Sequence, residues 1–288
     1  MKTRPVLKRT MASLCLLAAL ALFLTTAGCG KPRTSEFSGR VKASGSTTVL
    51  PLSQEAAAEF TDANPAARVD VQGGGSSVGI TQLIQGVVDI GNSSRELNPD
   101  EAKGVVDHKI AFDVIALVVN PRMGVSDLSD AQVKAIFTGM IVNWKQVGGP
   151  DKEIVVVVRD QASGTREVFD KKALGATSEK PVESVASAIE SSSNGVVREI
   201  VATTDNAIGY ISLGYVNRRL KATEFNGVAP TVGNASTGKY PMARYLHMFT
   251  KGEPKGAVKG YIDFVESDKF QNEVVSEEYI KIRDVLVK

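Results

Sequence analysis

The residues best placed to do chemistry lie where an aliphatic run meets a helix-like segment, at Ile154–Glu167 (IVVVVRDQASGTRE). Five consecutive aliphatic residues mark a strand buried on both faces. Arg159 follows at the strand's end and carries a permanent charge on a fork of N–H donors. Ser163-Gly164-Thr165 then opens the helix-like pattern Arg166, Glu167, Phe169, Lys171, Leu174. The first N–H groups of such a helix have no intrahelical partner and sit at the positive end of its dipole. A helix start and a guanidinium together suit a tetrahedral oxyanion. Taken alone, the same residues also suit Ser163 as an ordinary N-cap with Arg159 in a surface ion pair.

Repetition favours the anion. Val41–Ser44 runs into Gly45-Ser46-Thr47-Thr48 ahead of a helix-like stretch from Pro51 to Phe60. Arg68–Gln72 alternates like a strand and runs into Gly73-Gly74-Gly75-Ser76-Ser77, with helical spacing over Ile80–Ile84. Val87–Gly91 runs into Asn92-Ser93-Ser94-Arg95, and Pro99-Asp100 would open a further helix. In an open α/β sheet, ligands sit beyond the carboxyl ends of the strands. Hydroxyls and backbone amides are neutral donors, so several of them plus one arginine surround an anion without gross excess charge. Each hydrogen bond to a charged group contributes roughly 1.5–3 kcal/mol, so a handful gives micromolar binding or tighter.

The elements that must hold these loops alternate along the chain. Ile110–Asn120 is a long apolar strand, long enough to cross between lobes. A helix is expected over Leu128–Phe137, capped by Ser129 and stopped by Gly139. Trp144 reads as packing, and Gly148-Gly149-Pro150 as a turn. Asn194-Gly195 opens a helix through Ala202, Ala207–Val216 and Tyr240–Thr250 are extended, and Lys255–Val265 and Gln271–Val287 look helical. Strands alternating with helices predict parallel sheets. Two α/β lobes are expected, residues 40–115 plus 240–288 and residues 116–239, with crossings near Ala116 and Lys239 and the ligand in the cleft between them.

The chain has 288 residues, 43% of them hydrophobic, enough for one large or two modest domains. Lys2, Arg4, Lys8 and Arg9 precede the apolar run Met11–Leu24, the pattern of a secretory signal, too short for a membrane span. It ends Thr25-Thr26-Ala27-Gly28-Cys29, similar to the bacterial lipobox, with Thr26 where leucine is usual. Residues 1–28 are therefore expected to be a lipoprotein signal peptide, Cys29 a lipidation site, and 29–39 a polar tether. A soluble secreted protein with an incidental Cys29 is the alternative. Cys15, the other cysteine, lies inside the signal, so the mature chain has no disulfide. Without the signal the net charge is −2, which gives no basic surplus for nucleic acid. Both histidines are isolated and no His/Cys/Asp/Glu group shows metal-ligand spacing, so no metal and no cofactor are expected.

At these loops the sequence resembles the substrate-binding protein of the bacterial ABC phosphate transporter, the PstS family. The matching segments, in order, are GSTTVLPL, VQGGGSSVGI, DIGNSSREL, IFTGMIVNW, RDQASGTRE, NAIGYISLGYV and YPMARYL. The resemblance implies a type II periplasmic-binding-protein fold that closes on its ligand, and a non-enzymatic, monomeric receptor handing inorganic phosphate to an ABC permease. The protein would be periplasmic or at the cell surface, held to the membrane by lipid. It implies a phosphate shell of Thr47, Thr48, Ser76, Ser94, Arg159, Ser163, Gly164 and Thr165, with Asn194 as an outer candidate. Some members carry aspartate where Ser94 stands. That carboxylate accepts a hydrogen bond from a phosphate O–H and repels fully deprotonated anions such as sulfate. Serine accepts without repelling, so another acidic group would have to compensate; Glu96 is the nearest in sequence. Asp160 would be solvated or would orient Arg159.

Three other readings are open. Gly75-Ser76-Ser77-Val78-Gly79 fits G-x-S-x-G, the nucleophile elbow of α/β-hydrolases, with Ser77 as nucleophile and His247 as base. Against it, no HGGG-type loop is present and His247 lies in an apolar segment, where a buried structural histidine is expected. The same fold could bind sulfate, molybdate or tungstate, or could serve adhesion or signalling.

Overall fold

The computed structural model describes residues 35–286. The expected signal peptide (1–28), the lipidation site Cys29 and the first part of the tether lie outside the described residues. Among the described residues no helix is long and apolar enough to cross a membrane.

The first half of the fold is built from β1 (Gly39–Gly45), α1 (Leu50–Ala63), β2 (Ala67–Gln72), α2 (Ser76–Ile84), β3 (Ile90–Ser93) and the long β4 (Val105–Val119). After β5 (Asp127–Leu128) and α3 (Asp130–Phe137), the second half follows. It comprises β6 (Val155–Arg159), α4 (Gly164–Ala173), β7 (Ile189–Ser191), α5 (Asn194–Thr203), β8 (Ala207–Ser212), β9 (Lys221–Ala222), β10 (Glu224–Phe225) and α6 (Val232–Ser236). The chain returns through β11 (Ala243–Lys251) and α7 (Gly256–Glu266).

One sheet runs through both halves in the order β2-β1-β3-β11-β4-β8-β6-β7, with β9 also on β4. β4 joins them: it pairs with β11 as far as Val114 and with β8 from Ile115 onward. Periodicity explains why the last part of β4, from Val114 to Val119, reads as an unbroken apolar run. Ile115, Leu117 and Val119 face one core cluster, and Ala116 and Val118 face another. β6 does the same, with Val156 and Val158 on one side and Val157 on the other. α1 buries the stripe Leu52, Ala56 and Phe60 against Tyr261, Ile262 and Val265 of α7.

The expected parallel sheet is mixed instead. β1, β2 and β3 are parallel, as are β6, β7 and β8, but β11 inserts antiparallel between β3 and β4. β4 enters the second half with no crossover helix and pairs antiparallel with β8. β3 begins three residues later than its apolar pattern predicts, because Val87 is exposed after the left-handed turn at Gly86. The helix expected at Pro99 is only a turn. Glu101 N donates to the Asn98 carbonyl at 3.0 Å to close that turn, and its side chain accepts from Asn98 N at 2.8 Å and pairs with Arg95 at 2.7 Å. Leu213–Tyr215, expected as strand, forms a 3-10 turn. The C-terminal helix is interrupted: Ile280 pairs with Phe112 instead.

Trp144 is fully buried and donates Nε1–H to the Asn206 carbonyl at 2.9 Å, a packing role. Phe169 is fully buried, stacked on Tyr210 with ring centroids 3.9 Å apart and tilted on Phe137 at 4.8 Å. Phe169→Ala should cost about 3–5 kcal/mol of unfolding free energy, read as a lower urea midpoint. A loss below about 1 kcal/mol would show that this aromatic trio does not hold α4 to the sheet.

Candidate functional site

The loops after β1, β2, β3 and β6 converge. Thr47, Thr48, Ser76, Ser94, Arg159, Ser163, Gly164 and Thr165 are all buried. Buried polar groups need partners, and these find them in one another.

Arg159 leaves the end of β6 with 1% exposure. Its Nε–H donates to the Ser191 carbonyl at 3.3 Å. Its Nη2 donates to the Ser192 carbonyl at 3.0 Å and to Thr47 Oγ1 at 3.2 Å, on the first half of the fold. The arginine's backbone is fixed too: Tyr210 Oη accepts its N–H at 3.1 Å, and Arg166 Nη1 donates to its carbonyl at 2.7 Å. Thr48 Oγ1 lies 3.2 Å from Thr165 Oγ1, and Asn194 Nδ2 donates to Thr48 Oγ1 at 3.0 Å. The Asn194 carbonyl oxygen accepts from Ser212 N at 3.2 Å, which orients the amide. Tyr215 and Tyr279 hydroxyls donate to the carbonyls of Thr47 and Thr48 at 2.7 and 2.8 Å.

The remaining residues complete the enclosure. Ser76 Oγ lies 3.3 Å from Ser94 Oγ and accepts from Ser94 N at 3.0 Å. A side-chain carbon on Gly164 would lie 2.5 Å from Ser76 Oγ and 3.0 Å from Ser94 Oγ, so only glycine lets α4 begin against those serines. A side-chain carbon on Gly75, at φ +98°, would lie 2.6 Å from the Ala162 carbonyl oxygen, and Ser77 N donates to that carbonyl at 3.1 Å. Ser163 caps α4 by accepting from Arg166 N at 3.2 Å, so it serves the helix as well as the cluster. α2 begins at Gly75 without any side-chain cap.

Burial pulls Arg159 down to about 10, so it is still cationic at neutral pH, with Asp160 the main opposing influence. Asp160 is not simply solvated: its Oδ1 is buried without a hydrogen-bond partner. Among the described residues no carboxylate is hydrogen-bonded to Arg159. Its Nη1 is buried with no partner, as is Nη1 of a second arginine, Arg244. Buried, unpaired donors on two cations around a knot of hydroxyls are what an anion would satisfy.

The sequence reading missed that second arginine and its counter-ion. Arg244 on β11 is 6% exposed and pairs with Asp113 of β4 at 2.9 Å. The available signal was one charge of each sign inside two otherwise apolar strands, YPMARYL and IAFDVIALVV. Glu96 is not in the cluster: it is exposed and lies 3.6 Å from His247 Nε2. His247 is fully buried and its Nδ1 lies 2.7 Å from Asp107 Oδ1. Ser77 Oγ accepts from Arg95 Nη2 at 3.1 Å, so serine and histidine have separate partners and do not form a nucleophile–base pair.

A family model for the PBP superfamily domain matches residues 31–269. The chain is 39% identical to a phosphate-binding protein PstS of Bacillus subtilis (strain 168), over 98% of this chain and 97% of that one. It is 32% identical to a PstS of Borreliella burgdorferi, over 84% and 90% of the two chains. Among solved structures it is similar to a putative phosphate ABC transporter substrate-binding protein with bound phosphate from Clostridium perfringens. That likeness has a TM-score of 0.80 and 36% identity, and covers 85% of this chain and 100% of the other.

Arg166, which holds the Arg159 carbonyl, lies 3.5 Å from Asp170. Burial pushes Asp170 up to about 6, with Arg166 opposing. The folded state therefore holds this proton more tightly than the unfolded chain. The carboxyl's contribution is present at low pH and is lost as pH rises through about 6. Asp170→Asn should gain stability relative to the native chain between pH 4 and pH 7, by up to about 3 kcal/mol in urea unfolding. A difference that does not change with pH would contradict the assignment.

Proposed function

The chain belongs to the PstS family of phosphate-binding proteins, and from that premise we propose that it captures inorganic phosphate in the buried cradle and delivers it to an ABC permease. The fold is the type II periplasmic-binding-protein fold, and the family is one of substrate-binding transport proteins, not of enzymes. The observation that carries the proposal is Arg159: a buried cation with an unpaired Nη1, bonded to Thr47 and surrounded by hydroxyls from both halves of the sheet. Thr47, Thr48, Ser76, Ser94, Ser163, the Gly164 amide and Thr165 supply neutral donors around it. A doubly charged tetrahedral anion would meet N–H and O–H groups on several sides while leaving water entirely.

The protein works outside the cytoplasm in this reading, exported by residues 1–28 and held to the membrane by lipid on Cys29 as a monomer. Residues 40–115 plus 240–288 form one lobe and 116–239 the other, joined at β4 and near Lys239. Contacts across the cleft support a closed form. Arg95, buried and held by Glu101, reaches Glu167 of α4 at 2.9 Å, and Ser77 N reaches the Ala162 carbonyl.

A second reading, another oxyanion on the same residues, has one observation behind it. Among the described residues no hydrogen bond joins a cradle hydroxyl to a carboxylate, and Ser94 stands where some relatives carry aspartate, so no described group in direct contact selects for a protonated anion.

Arg159→Ala should weaken phosphate binding by at least about tenfold in a calorimetric titration. Unchanged affinity would remove Arg159 from the site. Small-angle scattering should show a smaller radius of gyration on adding phosphate; equal radii would argue against closure.

A further inference from the structure

Arg244 lies outside every loop the sequence marked, yet it touches the cradle from both sides. Its Nε and Nη2 donate to Asp113 Oδ2 at 3.3 and 2.9 Å. The same Nη2 donates to Thr48 Oγ1 at 3.2 Å and to Thr165 Oγ1 at 3.0 Å, sharing its two hydrogens among three acceptors. Thr48 belongs to the first half of the fold and Thr165 to the second. Asp113 is itself fixed, accepting from Ser212 Oγ at 2.6 Å. Both charged residues sit on the paired strands β4 and β11, as direct cross-strand neighbours one step from Val114.

A hydroxyl has one hydrogen to give and lone pairs to receive. Where its oxygen already accepts N–H, its own hydrogen is left to donate elsewhere. Thr48 accepts from Arg244 and from Asn194, and Thr165 accepts from Arg244; the 3.2 Å contact between the two hydroxyls uses one of their hydrogens, which an arriving anion would take over. Because Asp113 balances the guanidinium, the pair contributes direction and not net charge. Lysine could keep the charge but not the fork that spans a carboxylate and two hydroxyls.

We infer that Arg244, pinned by Asp113, is the positioning residue that fixes one threonine of each lobe as a donor to the anion, and so determines which oxygens the cradle accepts. The inference rests on the phosphate reading above. It gives the buried ion pair a use: the strands that join the lobes are wired to the two hydroxyls that meet when the lobes come together.

The test is calorimetric titration with inorganic phosphate of the native protein, Arg244→Lys, Thr165→Val and the double variant, with ligand-free unfolding midpoints recorded alongside. Arg244→Lys and Thr165→Val should each weaken binding by at least about tenfold. The double variant should bind within about threefold of the weaker single, because the second change removes an interaction already lost. Native-like binding by Arg244→Lys, or a double variant whose loss is the product of the two single losses, would overturn the inference. So would a drop in the unfolding midpoint with affinity unchanged. If Arg244→Lys does not fold, Asp113→Asn takes its place, since it frees the guanidinium without changing shape; coupling to Thr165→Val is again required, and independent losses overturn the inference. A native protein that binds no phosphate would instead contradict the functional reading itself.

Discussion

Arg159 and Arg244 are buried beside the knot of hydroxyls, and much of the remaining arrangement follows from having to accommodate them. Taking a cation out of water costs several kcal/mol after relaxation, so a buried arginine needs compensation from its surroundings. Arg244 has it in Asp113. Burial pushes that carboxyl up and that guanidinium down, and their mutual attraction opposes both shifts. Among the described residues Arg159 has only carbonyl and hydroxyl oxygens as hydrogen-bond partners, with Asp160 acting at a distance. A site with one compensated and one uncompensated cation is poised for one anion. The hydroxyls supply the directional part, because a neutral donor contributes a hydrogen bond without adding charge that would need balancing when the ligand leaves.

The fold delivers those groups by ordinary means. Parallel strands point their carboxyl ends the same way, and the helices that follow begin there with unpaired N–H groups. Thr47 and Thr48 precede α1, Ser76 opens α2, and Gly164 and Thr165 open α4. Close approach of the two halves then depends on the absence of side chains at Gly75 and Gly164, which pack against the Ala162 carbonyl and the Ser76 and Ser94 hydroxyls. Tyr210 ties core to site: its ring stacks on Phe169 and its hydroxyl holds the backbone of Arg159.

Local patterns carried much of this. The aliphatic run before Arg159, the Ser129 cap of α3 and the glycine–hydroxyl turns are short-range signals, and each stands where its chemistry placed it. Long-range pairing was less accessible. The antiparallel insertion of β11 depends on where the chain returns from the second half, which no window of residues encodes. The turn at Pro99 is tied to Arg95 through Glu101, six positions away and bonded only once the loop has folded. Arg244 and Asp113 were hidden for the same reason: 131 positions separate them, and either alone reads as a stray charge in a strand.

The most direct test is a crystal structure of the mature protein grown with phosphate. One phosphate should be enclosed between the lobes, with oxygens in hydrogen-bond contact with the Arg159 guanidinium, the Gly164 amide and hydroxyls from Thr48, Ser76, Ser94 and Thr165. A phosphate bound elsewhere, or one held without Arg159, would contradict that arrangement.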